Sequence, residues 1–183
     1  MIHKATNPLA VQSQEWLTEA LLTLLESKSY SNITITEIAA KADLSRRTFY
    51  RAFDSKEDIL AYYTGKLFEE FLALLQQEAE HSYTSIIFLY FQFWCSHKHF
   101  LHILQKNNLL TFIMAQYSVL FPKVFQLVKG GHPLFDNAEA LSYAMAYSAG
   151  GLLHMLLKWT EDGTDKTPAE MMDIIKMIFP ADW

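Results

Sequence analysis

Apolar positions recur every three or four residues along nearly the whole chain, and the breaks between them carry helix caps rather than strand turns. Val11, Trp16, Leu17, Ala20, Leu21, Leu24 and Leu25 mark one face of a first helix from about Leu9 to Ser27. Ile35, Ile38, Ala39 and Ala42 mark a second, and Phe49 and Phe53 a third. Thr34 with Glu37 fits a capping box, Ser45 stands where the third helix begins, and Ser55 with Asp58 caps a fourth. Asp43-Leu44 is the turn between the two short helices, because Asp tolerates a left-handed backbone better than most residues. The pattern predicts a helix-turn-helix braced by a helix on either side.

The rest reads as a helical body. Ile59, Leu60, Tyr63, Leu67, Phe71, Leu74 and Leu75 predict a long helix from Lys56 to about Glu80. The stretch from Ser82 to Trp94 is apolar almost all round, which predicts burial on most sides. Helical spacing continues to Val128, and Lys129-Gly130-Gly131-His132-Pro133 is a loop. That loop is no phosphate cradle, since no strand precedes it and no Lys-Ser/Thr follows. Asp136 with Glu139 starts a helix reaching about Glu161, rich in small residues from Ala144 to Gly151. Thr167-Pro168-Ala169-Glu170 is a capping box with Pro at the first helical position, and it opens the last helix. The expectation is an all-α protein of about nine helices, with a head over residues 1–60 and a body over 61–183.

Composition narrows the function. The 183 residues are 51% hydrophobic with a formal charge of −5, which argues against coating nucleic acid by bulk attraction. Between Lys41 and Lys56 the balance reverses: Lys41, Arg46, Arg47, Arg51 and Lys56 face only Asp43 and Asp54, a net of +3. A small basic head on an acidic body suits site-specific binding. Arg46, Arg47, Thr48, Tyr50 and Arg51 surround the inward Phe49 and offer forked donors for base edges and hydroxyls for phosphates. Lys56, in the first turn of its helix, is placed to clamp a phosphate; a merely solvated basic helix is the bland alternative.

Enzymatic chemistry finds little foothold. No nucleophile–base pair or phosphate loop is visible, and no cofactor is called for. His97, His99 and His102 form an H-x-H-x-x-H cluster, but i, i+2 side chains do not share a helix face, so a polar junction is preferred to a metal site. Cys95, the one cysteine, lies in the run FQFWC and reads as a buried thiol. No charged-then-apolar leader opens the chain, and its unbroken apolar runs are short for a bilayer. A soluble, cytoplasmic protein is expected.

The head closely resembles the DNA-binding domain of TetR-family transcriptional regulators. The family pattern T-x-x-x-I-A-x-x-A-G-[V/L]-S-x-x-T-[F/L]-Y-x-x-F-x-x-K-[E/D]-x-[L/I] is matched by Thr34, Ile38-Ala39, Ala42, Leu44-Ser45, Thr48-Phe49-Tyr50, Phe53, Lys56-Glu57 and Ile59. Asp43 stands where the family has its turn glycine, and Arg47 where it often has glycine, which adds a base-reading candidate. The resemblance implies a homodimer on a pseudo-palindromic duplex operator. Thr34, Ser45, Tyr50 and Lys56 would then hold phosphates, and Arg46, Arg47, Thr48 and Arg51 would include the base readers.

The run G-G-L-L followed by Trp159 and a capped last helix is similar to the C-terminal end of many TetR-type proteins, where two helices per subunit form a four-helix interface. This implies a dimer surface through Tyr143, Tyr147, Gly151, Met155, Trp159, Met172 and Ile175. Bodies of the family commonly enclose a ligand, so Phe68, Phe71, Phe88, Phe91, Trp94, Phe112, Tyr117, Tyr147 and His154 read either as the lining of an apolar effector site or as packed core. The function so implied is a transcriptional regulator, a repressor released by a small, largely apolar effector. A helical coactivator or partner-binding protein that keeps the head without reading an operator is the alternative, motivated by the negative charge of Asp43.

Overall fold

In a computed structural model of the protein, residues 7–78, 82–110, 112–114, 122–124, 126 and 137–178 are described. Helix α1 (Pro8–Ser27) begins at Asn7, whose side-chain oxygen accepts the Leu9 N–H at 3.1 Å. A short 3-10 turn (Tyr30–Asn32) leads to α2 (Ile35–Lys41), where the capping box forms as its residues predict. Glu37 N–H donates to the Thr34 hydroxyl at 3.2 Å, and the Glu37 carboxylate accepts the Thr34 N–H at 2.9 Å. Asp43 then takes φ 54°, a left-handed turn that brings Leu44 N–H to Ala39 O at 2.8 Å. Ser45 caps α3 (Arg46–Ala52) by accepting the Thr48 N–H at 3.1 Å.

These short helices depend on tertiary burial, being too short to persist alone. Leu17, Leu21 and Leu25 from α1 meet Ile38, Phe49, Phe53, Ile59 and Leu60, all fully buried. Ala39, 2% exposed, sits in this core with no bulk to hold α2 off its neighbours. The Gln14 amide reaches Ala52 O at 3.4 Å, tying α1 to the last turn of α3.

Helix α4 (Lys56–Gln77) carries the chain from head to body without a break. Its N-terminal half packs on α1 and its later residues on α5 (Tyr83–Ser96). The head–body boundary expected near residue 60 therefore falls inside a continuous helix. Helix α5 is the axis of the body: α4, α6 (Lys98–Lys106) and the last helix, α8 (Pro168–Ile178), all pack on it. Seven of its residues between Ile86 and Trp94 are buried, while Phe88 and Gln92 are exposed. The capping box of α8 forms, with Thr167 N–H donating to the Glu170 carboxylate at 2.7 Å.

Helix α7 (Ala138–Glu161) is capped by Asn137, which accepts the Ala140 N–H at 3.0 Å; the expected cap, Asp136, lies outside the described residues. Its C-terminal half is anchored. Leu152, Leu153, Leu156 and Trp159 are buried, Tyr90 donates to Leu152 O at 3.2 Å, and Trp159 donates to Lys166 O at 3.0 Å. From Ala138 to Gly151 no residue is buried. By length and composition α7 is apolar enough to cross a membrane, a property its short unbroken runs conceal.

Candidate nucleic-acid interface

Helix α3 has a full side and an open side. Phe49 and Ala52 face the core, while Arg46, Arg47, Tyr50 and Arg51 are exposed and Thr48 is half-buried. At 100° per residue the four exposed positions span less than half the helix circumference, so they form one face. Phe49 holds Tyr50 from behind, edge-on at 5.5 Å, and the Arg46 guanidinium lies 6.0 Å from the Tyr50 ring centre. Among the described residues no carboxylate lies within 4 Å of the Arg46, Arg47 or Arg51 guanidinium groups. Elsewhere in the head, by contrast, Lys28 is paired with Glu37.

The other predicted contacts are differently disposed. The Thr34 hydroxyl is engaged in its own capping box, donating to Glu37 at 2.8 Å. Ser45 and Thr48 share a hydroxyl–hydroxyl hydrogen bond of 2.9 Å at the start of α3. Lys56 does not project with the arginines. Its half-buried ammonium donates to Tyr30 O at 2.7 Å and Ile33 O at 3.0 Å, and lies 4.1 Å from the Tyr30 ring centre. It closes the strand of chain between α1 and α2 against the start of α4. Burial, with the Glu57 carboxylate beside it, keeps the Tyr30 phenol protonated far above its usual range.

The predicted dimer residues divide in the same way. Tyr143 and Tyr147 are 70% and 64% exposed, Gly151 is exposed and Met155 half-buried. Trp159 and Met172 lie inside the protomer, because each is turned toward α5 and only 2% and 5% exposed. Ile175 lies at the floor of an apolar groove of about 200 Å³ lined also by Ile87, Tyr147, Gly151, Met155 and Ile178. Ile178, 55% exposed, and Met177, 80% exposed, are further apolar surface residues of α8. A Cβ added at Gly150 or Gly151 meets nothing within 4 Å.

Among the described residues the aromatic set is divided between core and surface. Phe68, Phe71, Phe91 and Trp94 are buried in edge contacts: Phe68 on Trp94 at 6.1 Å, Phe71 on Tyr90 at 6.1 Å, Phe91 on Trp159 at 6.0 Å. None of them lines the principal cavities bounded by the described residues. Phe112 is half-buried, whereas Phe88, Tyr147 and His154 are exposed; Tyr117 lies outside the described residues. The His154 Nδ1 lies 2.7 Å from Gly150 O on its own helix. The three clustered histidines also diverge. His97 faces Glu70 at 3.5 Å, His99 faces Glu26 at 3.0 Å, and His102 faces the Thr164 hydroxyl at 3.3 Å.

The sequence matches the family described as "Bacterial regulatory proteins, tetR family" over residues 17–63, and "Transcriptional regulator C-terminal region" over residues 78–180. The chain belongs to the TetR family. As a TetR-family protein it is a DNA-binding transcriptional regulator, and α3 lies within the residues matched to the family's N-terminal region. Two solved structures share the fold. "Dihydroxyacetone kinase operon activator DhaS" aligns with a TM-score of 0.58 and 19% identity, covering 91% of this chain and 93% of its own. The fatty acid degradation regulator FadR from Bacillus halodurans aligns with a TM-score of 0.60 and 11% identity, covering 98% and 99%. No curated protein matches the sequence. The family's members are regulators rather than enzymes.

Proposed function

We propose that this TetR-family regulator binds a two-fold operator as a homodimer, with one α3 in each of two successive major grooves. The observation that carries this reading is the set of three guanidinium groups on one exposed face of α3, without carboxylate partners among the described residues. Arg46, Arg47 and Arg51 supply forked donors for guanine edges, and Thr48 contacts a base or its sugar. Ser45, Tyr50 and Thr34 sit around the rim, where phosphates would pass. Lys56 has a different part: it fixes the approach of α1 to α2 and so the tilt of the whole head. Asp43 supports no separate reading, since its left-handed φ explains its presence at the turn. The coactivator alternative loses its motive.

The dimer surface is the open half of α7, Tyr143, Tyr147, Gly151 and Met155, extended by Ile178 and Met177 of α8. Small residues on α7 admit a partner helix, and the apolarity of this helix is that of a protein interface. A two-fold operator requires a self-complementary surface of this kind. Homodimers, repression and ligand response are typical of the family, and release by a small effector is the reading adopted here. The close packing around Phe71 favours an effector site elsewhere than beside that ring. DhaS is named an activator and FadR a degradation regulator.

Selection of bound sequences from a random duplex pool tests the proposal. The expected product is an inverted repeat bound by one dimer. Recovery of no enriched sequence, or of a single half-site bound by a monomer, would overturn it.

A further inference from the structure

A cleft of about 530 Å³ lies between α1, α4 and the start of α6. It lies where head meets body, away from the aromatic core. One wall is α1, which presents Glu15, Glu19, Leu22 and Glu26 at steps of four, three and four residues, a single helical face. The opposite wall holds Tyr62, Tyr63 and Lys66 from α4, with His97, His99, Phe100 and Ile103 from the α5–α6 junction. Phe100 and Ile103 are buried and Leu22 half-buried, so the floor is apolar. Tyr63 stands edge-on to Phe100 at 4.8 Å.

The charge of this lining is unbalanced. Three carboxylates face one fixed cation, Lys66. That lysine shows what the cleft accepts: its ammonium is 3.0 Å from Glu15 and 5.7 Å from the Tyr62 ring centre, with its methylene stem inside the cleft. The contact with Glu15 raises the Lys66 pKa above its usual value. The Glu26 carboxylate meets the His99 imidazole, with the Lys106 ammonium 2.6 Å from the Glu26 backbone carbonyl, and Glu19 has no cation within 4 Å among the described residues. Along α1 Glu15 and Glu19 lie about 6 Å apart by helical rise, the spacing of neighbouring ammonium groups on an aliphatic polyamine, and Glu26 lies about 10 Å further, roughly two such steps.

We propose that this cleft binds an aliphatic polyamine, its ammonium groups on Glu15, Glu19 and Glu26 and its methylenes across Tyr62, Tyr63, Phe100 and Ile103. The site is distinct from an apolar site within the body. A single compact cation would leave the apolar floor unused, and an anion would meet the α1 carboxylates. The occupant touches α1, which packs on α2 and α3, and α6, which belongs to the body. It competes with His99 for Glu26 and with Lys66 for Glu15, two of the contacts that hold α1 against α4 and α6.

Calorimetric titration of the full-length protein with spermidine, with magnesium chloride as a control at matched ionic strength, tests the site. One saturable site per chain is expected for spermidine and none for magnesium. Glu19→Gln and Glu26→Gln should each weaken binding roughly threefold, and together about tenfold, while Glu69→Gln on the exposed side of α4 should leave it unchanged. Lys66→Met removes the internal competitor and should tighten it. No saturable heat, equal binding of magnesium, or equal loss in Glu69→Gln and the cleft variants would each overturn the proposal. The titration contains no DNA, so its failure would leave the operator reading intact, and a failed operator selection would leave the amine site standing.

Discussion

Replacing Lys56 with methionine separates two roles that one lysine at the start of a helix can have. The ammonium makes hydrogen bonds of 2.7 and 3.0 Å to Tyr30 O and Ile33 O and stacks on the Tyr30 ring. Methionine keeps most of the stem but leaves two carbonyls without that donor. Hydrogen bonds to charged groups contribute about 1.5–3 kcal/mol each, and a cation–π contact about 0.5–1 kcal/mol. Partial exposure at the head's surface discounts the sum, and a loss of about 2–4 kcal/mol follows. For a chain of this length that lowers Tm by about 5–15 °C. Operator affinity measured well below the transition, from low to moderate salt, supplies the second readout. If Lys56 is an internal staple, the slope of log K against log salt stays that of the wild type. If it holds a phosphate, the slope falls by about 0.9 per half-site and Tm barely moves. An unchanged Tm with the reduced slope would refute the structural role argued for Lys56.

Three other outcomes are expected. Arg47→Ala and Arg51→Ala should each cost about 1–3 kcal/mol per half-site and relax base preference at one position, read by repeating the duplex selection with each variant. Gly151→Phe meets open space within the protomer, so helicity by circular dichroism should be retained, while the dimer Kd by sedimentation should rise at least about tenfold from overpacking against the partner. Hydrogen bonding from Lys28 first, then from the Thr34 backbone and hydroxyl, depresses the Glu37 carboxyl to about 2 from 4.5. Its stabilising effect is thus complete above about pH 4.5 and is lost as the pH falls toward 2, and Glu37→Gln should flatten the urea midpoint over that acid window.

What could be read from sequence was what is local. The capping boxes at Thr34, Ser55 and Thr167 each lie within four residues, and the left-handed turn needs only Asp43 itself. The inward face of α3 followed from Phe49 and Phe53 alone. The hydrogen bonds of Lys56 were not legible because its acceptors lie 26 and 23 residues earlier, on a turn whose position only the folded head defines. Trp159 follows Met155 by four residues and Ile175 follows Met172 by three; which of them faces inward depends on where α5 passes. The H-x-H-x-x-H imidazoles go to three different elements, which their i, i+2 spacing foreshadows but whose identities it cannot name. The cleft at the α1–α6 junction was invisible for a related reason: its two walls are some 80 residues apart, and Glu15, Glu19 and Glu26 read singly as solvated charges.

Asn107 joins parts of the molecule that a domain diagram would separate. Its side-chain oxygen accepts the Tyr30 N–H at 2.9 Å and its amide donates to Leu25 O at 3.3 Å, while the neighbouring Lys106 reaches Glu26 O at 2.6 Å. The end of α1 and the turn into α2 are thus finished by two residues of the body. A reading head cut from this chain at residue 60 would lose those bonds together with the last three-quarters of α4. Grafted onto another regulator, it would require a matching Lys-Asn pair at the end of that host's sixth helix. The unit that evolution or an engineer can exchange is therefore larger than the helix-turn-helix, and its outer limit is set by the C-terminus of α6.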